Sequence, residues 1–453
     1  MIGFTDDSRE LRAGDIFVCI KGDNFDGHTV AAEMLVKGAS AVVTERDLGL
    51  DKQIIVPNTR KYLAGLASDF YGNPTKSLKL IAATGTNGKS TVIALIKHIL
   101  EQQGHKCGSI GTIGYDTVRK TYPARLTLPL QKDLYRLFRE MADNGAEYCV
   151  VEASSQALAQ DRFADEIFET AVFTNLTQDH LDYHKTMDNY FSAKRMLFDI
   201  TKSAVVCIDD KYGEKLIKYI GKKYPLTTYS ALDAAALYAV NVKSSDNTMS
   251  FWLASEQEEK SFPVKLALPG IYNVANAIAA VGAAVQVGVN LEDATGALFD
   301  FPGIRGRSEV IHDGDFTVIC DYAHTEDALT KFLQSVKKDT GRLICLFGAP
   351  GERDIAKRPL MGAAAAENAD YLIVTSDNPR FENPGDIISQ VCKGIKNTPF
   401  ETYADRKEAI RAAVKMAQKG DVVALCGKGH ETEQVIGDEY QPFDERLIVK
   451  ELL

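Results

Sequence analysis

The stretch Ile81-Ala82-Ala83-Thr84-Gly85-Thr86-Asn87-Gly88-Lys89-Ser90-Thr91 decides the fold. An apolar run from Leu78 to Ala83, interrupted only by Lys79, leads into a glycine-bounded loop. Val92, Leu95, Ile96 and Ile99 then recur at helical spacing, and Gly104 ends the segment. Strand, glycine loop and helix form a phosphate-binding arrangement. Backbone N–H groups and the positive end of the helix dipole face an anion, Lys89 adds a point charge, and Ser90 offers a hydroxyl to Mg²⁺. The loop is one residue shorter than G-x-x-x-x-G-K-[ST], because Thr84 stands where the first glycine would be. A plain βα turn that contains Gly-Lys-Ser is the bland alternative. The agreement of strand, loop and helix with the motif's context favours an ATP site.

Downstream, Tyr148-Cys149-Val150-Val151-Glu152 is an apolar strand ending in an acid. Such a residue holds Mg²⁺ at the C-terminal edge of a parallel sheet, or else sits at a helix N-terminus before Ser154-Ser155; the loop upstream favours the metal. The strand Ala171–Asn175 precedes Asp179-His180-Leu181-Asp182-Tyr183-His184, whose two histidines suit a metal or a purely structural role. Lys194, in the helical stretch Tyr190–Phe198, reads by itself as a surface lysine. An alanine-rich helix begins near Asn273 and runs to Val287.

The last third carries the cleanest pattern. Four apolar strands end in polar motifs: Phe316–Cys320 in Asp321-Tyr322-Ala323-His324-Thr325, Leu343–Phe347 in Gly348 through Asp354, Tyr371–Thr375 in Ser376-Asp377-Asn378-Pro379-Arg380, and Val422–Cys426 in Gly427-Lys428-Gly429-His430-Glu431. Helical stretches separate them at Glu326–Lys337, Pro359–Ala366, Pro384–Ile395 and Lys407–Gln418. Alternating strands and helices with ligand chemistry at strand C-termini describe a doubly wound domain. Before the phosphate loop, short strands and helices (Asp15–Ile20, Val30–Lys37, Ala41–Thr44, Ile54–Val56, Leu63–Phe70) form a small α/β unit closed by Asn73-Pro74. Its loops Asp7-Ser8-Arg9 and Asp26-Gly27-His28 are candidates for ligand contact, and turn chemistry explains them equally well.

The fold class is therefore α/β with three domains, at residues 1–76, 77–304 and 305–453. A hydrophobic content of 45% and a charged content of 25% describe an ordinary globular protein. The net charge of −10 argues against a nucleic-acid surface. No apolar run is long enough to span a membrane, and the first residues lack a basic-then-apolar leader. The 8 cysteines are scattered without a C-x-x-C pair, as in a reducing cytoplasm.

These motifs together resemble the Mur ligase family. Gly85–Thr91, Glu152 to Leu158, Phe173 to Lys194, Asp321–Thr325, Asp377–Arg380 and Gly427–Glu431 occur in the family's order. The resemblance implies a UDP-binding N-terminal domain, a central P-loop ATPase domain and a C-terminal Rossmann-like domain that brings an amino acid. It implies an ATP-dependent ligase of peptidoglycan synthesis that joins a third amino acid to UDP-N-acetylmuramoyl-L-alanyl-D-glutamate through an acyl phosphate, as a cytoplasmic monomer with no nucleic-acid or membrane partner. Carried over by motif, Gly85, Thr86, Asn87, Gly88, Lys89, Ser90 and Thr91 bind ATP with Asn273, Arg307, Asp321 and His324. Lys89, Glu152, Asn175, His180 and Lys194 are the expected catalytic set. Ser90, Glu152, His180 and Lys194 would hold Mg²⁺, the last as a carbamate. Ser154, Gln160 and Arg162 match contacts to the UDP-muramoyl-dipeptide, with Ser8, His28 and Thr127 as further candidates. Arg353, Asp377, Asn378, Arg380, Gly427 and Glu431 would receive the amino acid.

Arg380 resembles the mark of diaminopimelate-adding members: it can hold the distal carboxylate that lysine lacks, with Glu431 facing the distal ammonium. The competing reading pairs Arg380 with Glu382 or makes it a cap. Four features depart from the family. Gln156 replaces the histidine of S-S-H-A-L, Leu126-Thr127-Leu128-Pro129 replaces T-T-P, Ala349-Pro350 interrupts a glycine-rich stretch, and the N-terminal segment is shorter. They leave room for a paralogue that adds lysine or acts on a modified acceptor. A folylpolyglutamate synthase fits the last two motifs less well. A non-catalytic P-loop binding protein is disfavoured by intact Lys89, Glu152, His180 and Lys194.

Overall fold

The computed structural model describes residues 2–22, 25–245 and 247–453. Its centre is an 11-stranded sheet in which the phosphate-loop strand, Lys79–Thr84, lies between Thr170–Phe173 and Tyr148–Glu152, parallel to both. Register pairs Ala83 with Glu152 and Thr84 with Phe173, so the acid and Thr174 stand beside the root of the loop. Alternation divides the strand between two cores. Ile81 and Ala83 pack with Val92, Leu95, Ile96 and Ile99 of the phosphate-loop helix and with Val274, Ile278 and Val281 of the alanine-rich helix. Leu80 and Ala82 pack on the opposite face with Leu134, Phe138 and Leu63. A strand buried on both faces reads as a continuous apolar run, as this one does.

The same sheet extends beyond its parallel part. Leu237–Ser245, Thr248–Ser255 and Glu258–Leu266 form an antiparallel meander at one side, and Gly114–Asp116 with Thr121–Tyr122 at the other. Before it lies a four-stranded parallel sheet, Phe4–Thr5, Ile16–Val18, Ala41–Thr44 and Gln53–Ile55. Gly72 and Asn73, at φ 73° and 52°, follow the helix Thr59–Phe70, where the turn was expected.

The third sheet is six-stranded, in the order Glu309–Asp313, Thr317–Asp321, Val422–Cys426, Leu343–Phe347, Tyr371–Thr375, Phe400–Tyr403. All but the first pair are parallel, and helices cover both faces. Three strands match the sequence reading residue for residue; the helix expected over Pro359–Ala366 is longer, at Lys357–Asn368. Arg406 and Glu445, both side chains fully buried, pair at 2.8 Å. Arg406 also donates to the carbonyls of Ser376 (3.3 Å) and Cys426 (2.8 Å), which ties together the ends of two strands that carry polar motifs. All 8 cysteines are free thiols. Among the described residues, no helix is long and apolar enough to cross a membrane.

Candidate active site

The phosphate loop is shaped from below. Thr84 Oγ1 donates to the Ala153 carbonyl (2.8 Å), Thr174 Oγ1 to the Asn87 carbonyl (2.6 Å), and Asn175 clamps Asn87 through Oδ1 (3.0 Å) and Nδ2 (3.1 Å). Gly88, at φ 89°, caps the helix Lys89–Gln102, and a Cβ there would run into Asn276 Oδ1. Glycine is required for both reasons. Lys89 Nζ bonds the carbonyls of Gly85 (3.0 Å) and Thr86 (2.8 Å). Burial lowers its pKa, opposed by Glu152 and Asp179.

A cavity of about 470 Å³ opens in front of this loop, between the central and C-terminal sheets. Ser90, Glu152, His180, Arg307, Asp321 and His324 line it with Asn175 and Asn273. Arg307 donates to Ser90 Oγ at 2.9 Å, and its guanidinium lies 4.6 Å from the Tyr322 ring centroid. Asn87 Nδ2 donates to Asp327 Oδ2 at 2.9 Å. Asp321 accepts the N–H groups of Ser308 and Ala323, both at 2.7 Å, which holds the strand end that carries Tyr322 and His324. His324 Nδ1 lies 2.8 Å from the Tyr322 carbonyl, so Nε2 is left as an acceptor; burial lowers its pKa to about 4. Asn273 donates to the Pro269 carbonyl (2.7 Å) and accepts from Asn276 (3.1 Å).

Glu152, at 1% exposure, accepts the Thr112 N–H (2.9 Å) and hydroxyl (3.1 Å). It ends its strand, and Ser154, not Glu152, caps the next helix. Among the described residues, no three His, Cys, Asp or Glu side chains form a ready metal cage. The Glu152 carboxylate and the Ser90 hydroxyl, both hard oxygen donors, line a cavity with space for phosphate oxygens and water and suit Mg²⁺, which keeps several waters. The donor set fits the ion.

Lys194 is not a surface residue. It lies on the helix Met187–Arg195 at 2% exposure, donates to the Gly85 carbonyl at 2.7 Å, and stands 4.5 Å from the Tyr190 ring centroid. Burial, then the charge of Lys89, hold its pKa far below the ordinary value.

On the acceptor side, Thr127 Oγ1 meets Thr112 Oγ1 (3.1 Å) and Ser154 lines the same cavity. Arg162 is buried; it donates to the Leu128 carbonyl and to Gln160 Oε1 (2.9 Å). Leu128, one of the departures from T-T-P, is a buried anchor of this segment. Ser155, beside the departing Gln156, bonds His184 Nε2 at 2.8 Å, and burial lowers the pKa of His184 to about 4. His28 lies outside both this cavity and the next: Nδ1 pairs with Asp26 (2.6 Å) and Nε2 accepts the Glu45 N–H (3.0 Å), so the turn reading describes it. Ser8 sits in a turn, also outside them.

A second cavity, of about 170 Å³, adjoins the first; Asp179, His180, Tyr322 and His324 line both. Its other walls carry Arg353, Asp377, Asn378, Arg380, Gly427 and Glu431, all expected, together with Pro350, Asp354 and Lys357. Asn378 Nδ2 (2.9 Å) and Lys428 Nζ (2.8 Å) both donate to Glu431 Oε2. Arg380 Nε is buried without a hydrogen-bond partner among the described residues. The pairing of Arg380 with Glu382, one of the two competing readings, is not observed, because Glu382 bonds Arg358 at 2.8 and 2.9 Å.

Residues 3–71 match the Mur ligase family catalytic domain, 83–284 the Mur ligase middle domain, and 306–429 the Mur ligase glutamate ligase domain. The UDP-N-acetylmuramoyl-L-alanyl-D-glutamate–2,6-diaminopimelate ligase of Caldanaerobacter subterraneus subsp. tengcongensis is 44% identical over 99% of this chain and 93% of its own. That of Clostridium botulinum is 41% identical over 99% and 94%. A solved structure of a ligase of the same name superposes with a TM-score of 0.70 at 34% identity, covering 100% of this chain and 94% of that one. The chain belongs to the Mur ligase family.

Motif reading of a Mur ligase missed several residues in these walls or bonded to them. Asp179 is buried at the junction of the cavities; burial would raise its pKa, but His180, His324 and Lys357 outweigh it and hold it at about 2. Its signal was its place beside His180. Lys428, with a fully buried side chain, links Asn378 and Glu431, and lay inside a quoted motif. Thr112 and Asp327 lay in no motif.

Proposed function

We propose that this Mur ligase joins diaminopimelate to UDP-N-acetylmuramoyl-L-alanyl-D-glutamate at the expense of ATP, forming the third peptide link of a peptidoglycan precursor. One observation carries the choice of amino acid: a half-buried arginine, Arg380, whose buried Nε has no hydrogen-bond partner and whose guanidinium makes no ion pair among the described residues, in a cavity that opens onto the nucleotide cavity. A cation in that position favours a substrate whose far end carries a carboxylate beside its amine.

The chemistry joins two anions before it joins an amine. A carboxylate oxygen of the acceptor forms a bond to the γ-phosphorus as the bond to ADP breaks. The amine of the amino acid then attacks the acyl carbon, phosphate leaves with its bridging oxygen, and the amine proton is lost. Lys89, Arg307 and the N–H groups at the start of the Lys89–Gln102 helix offset charge on the transferring phosphoryl group. Bound Mg²⁺, held by Ser90, Glu152, His180 and a carbamate on Lys194, would supply further charge neutralisation between the two anions. Asp179 and His324 stand where the two cavities meet, which is where the amine and the activated carboxyl must come together. ATP as co-substrate argues for the cytoplasm.

The test is phosphate release by the purified protein with ATP, Mg²⁺, the UDP-muramoyl-dipeptide and a panel of amino acids. Release that needs both acceptor and diaminopimelate, with lysine a poor substitute, is expected. Equal use of lysine would overturn the choice of amino acid. Release without any acceptor would overturn the ligase reading.

A further inference from the structure

Arg358 is 0% exposed, yet it lines neither cavity. It sits in the first turn of the helix Lys357–Asn368 and reaches across to two loops. Nη1 donates to Glu382 Oε2 and to Gln390 Oε1, both at 2.8 Å; Nη2 donates to Glu382 Oε1 at 2.9 Å and to the Pro350 carbonyl at 3.1 Å. Glu382 Oε1 also accepts the Glu352 N–H, and the Gly351 N–H donates to the Asn378 carbonyl at 2.9 Å. The loop after strand Leu343–Phe347, bearing Arg353, is thus stitched to the loop after Tyr371–Thr375, bearing Asn378 and Arg380.

The stitched loops are strained. Glu352 and Arg380 hold φ of 54° and 55°, a left-handed conformation that side chains with a Cβ seldom adopt. Such residues persist where the surroundings over-determine them. A tight turn, closed by the Glu382 N–H on the Pro379 carbonyl at 3.0 Å, puts Arg380 two residues from Glu382. Glu382 is the carboxylate nearest to Arg380 along the chain. Arg358 takes that carboxylate through two parallel hydrogen bonds, the strongest geometry available to it.

We propose that Arg358 is a positioning residue for amino-acid selectivity. By engaging Glu382 it keeps Arg380 without an internal anion, so that the substrate has to supply one. The inference rests on the diaminopimelate reading above. It adds that selectivity depends on a competition between two arginines for one carboxylate. Without Arg358, Glu382 is released to neutralise Arg380 from within, and lysine and diaminopimelate become more alike to the pocket.

The experiment measures kcat and KM for diaminopimelate and lysine in wild type, Arg358→Met, Arg358→Lys and Arg358→Met/Glu382→Gln. Arg358→Met is expected to lower the preference for diaminopimelate roughly tenfold or more, chiefly through KM. The double variant, although more heavily altered, should regain most of the preference, because no surrogate carboxylate remains. Arg358→Lys, which cannot form the paired bonds, should fall between. If Arg358→Met does not fold, the same rescue is sought by adding Glu382→Gln to Arg358→Lys. Equal losses of kcat for both amino acids with the ratio unchanged, or no rescue by Glu382→Gln, would overturn the proposal while leaving the diaminopimelate reading intact. A wild type without preference would remove both.

Discussion

The nucleotide cavity and the amino-acid cavity share Asp179, His180, Tyr322 and His324, but they differ in how many protein partners they give their cations. In the first, the cations have protein partners. Lys89 bonds two carbonyls of its own loop, the buried Lys194 shares one of them, that of Gly85, and Arg307 bonds Ser90 across the seam between sheets through Nη2, although its Nε is buried and unbonded among the described residues. At the second, Lys428 behind the wall is paired with Glu431, while the side chain of Arg380 makes no hydrogen bond or ion pair among the described residues and its Nε is buried. A ligand entering the nucleotide cavity exchanges one set of hydrogen bonds for another, so net gains there come from charge. A ligand entering the amino-acid cavity satisfies a group that the protein leaves unsatisfied, and such groups discriminate strongly. Generic phosphate chemistry and side-chain selectivity thus have different physical bases a few residues apart.

The largest expected effects break the charge provision of the nucleotide cavity. Lys89→Ala should lower coupled phosphate release about 10³-fold or more, with circular dichroism unchanged, since it removes a fixed charge from the phosphoryl group. Lys194→Ala should lose about 10²-fold or more and recover part of that with added short carboxylates, which replace the anion of a carbamate. Intact-protein mass spectrometry at near-neutral pH, with and without bicarbonate, checks the modification independently of activity. A residual near-wild-type rate in either variant would mean that the buried lysines only shape the loop.

The next effect breaks the other half of the comparison. Arg380→Ala should erase the preference for diaminopimelate over lysine, which a desolvated partner worth roughly 2–5 kcal/mol sets at tens- to thousands-fold. Turnover with lysine should fall much less. If both amino acids lose equally, Arg380 supports the loop and does not read the substrate.

The contrast also explains what was legible in the sequence. Strands with C-terminal motifs (Tyr148–Glu152, Leu343–Phe347, Tyr371–Thr375, Val422–Cys426) stand as expected, because strands buried on both faces are continuous apolar runs with abrupt polar ends. The meander Leu237–Leu266 was not read. Its strands are half-exposed and mix Lys, Ser and Glu with apolar residues, so they carry neither a run nor a motif. In the site, residues within motifs were found, and residues that act through distant partners were not. Arg358 meets a carboxylate 24 residues away, and Asn87 one 240 residues away. Spacing along a chain says nothing of such pairs. The competing reading that paired Arg380 with Glu382 failed for this reason: a nearby partner was visible, and the second arginine, held on a separate helix, was not.

Asp327 sharpens the comparison at the seam. It accepts from Asn87 of the phosphate loop and pairs with Lys331 at 2.8 Å, so it links the loop to the C-terminal domain. Asp327→Ala removes one hydrogen bond of a kind worth about 0.5–1.5 kcal/mol, and KM for ATP should rise up to about tenfold, with amino-acid preference unchanged. A change in that preference would show that the two cavities are less independent than their partners suggest.

The smallest effect separates holding the fold from reading the ligands on a single strand. Val422–Cys426 ends at Gly427 and the amino-acid cavity; at its other end Asp421, 3% exposed, accepts from Arg342 Nη2 (2.6 Å) and Nε (3.1 Å) and from the Arg342 (2.8 Å) and Gln418 (2.9 Å) N–H groups. Burial raises the pKa of this carboxyl, but the bonds from Arg342 and the backbone outweigh it, and the net shift is downward. A depressed folded-state pKa binds protons less readily than the unfolded chain does. Its stabilisation is therefore full above the ordinary carboxylate value and is lost as pH falls through the folded value. Arg342 is 38% exposed, so screening holds the ion pair to about 1 kcal/mol or less. Asp421→Asn should lower the urea midpoint of the C-terminal domain at neutral pH, and the gap from wild type should narrow in acid. The ratio of diaminopimelate to lysine turnover should not move, because this ion pair is closed on itself at the end of the strand away from the ligands. A variant that shifts that ratio would show that strain passes along the strand, and the contrast between paired and unpaired charge would then not be enough to explain selectivity.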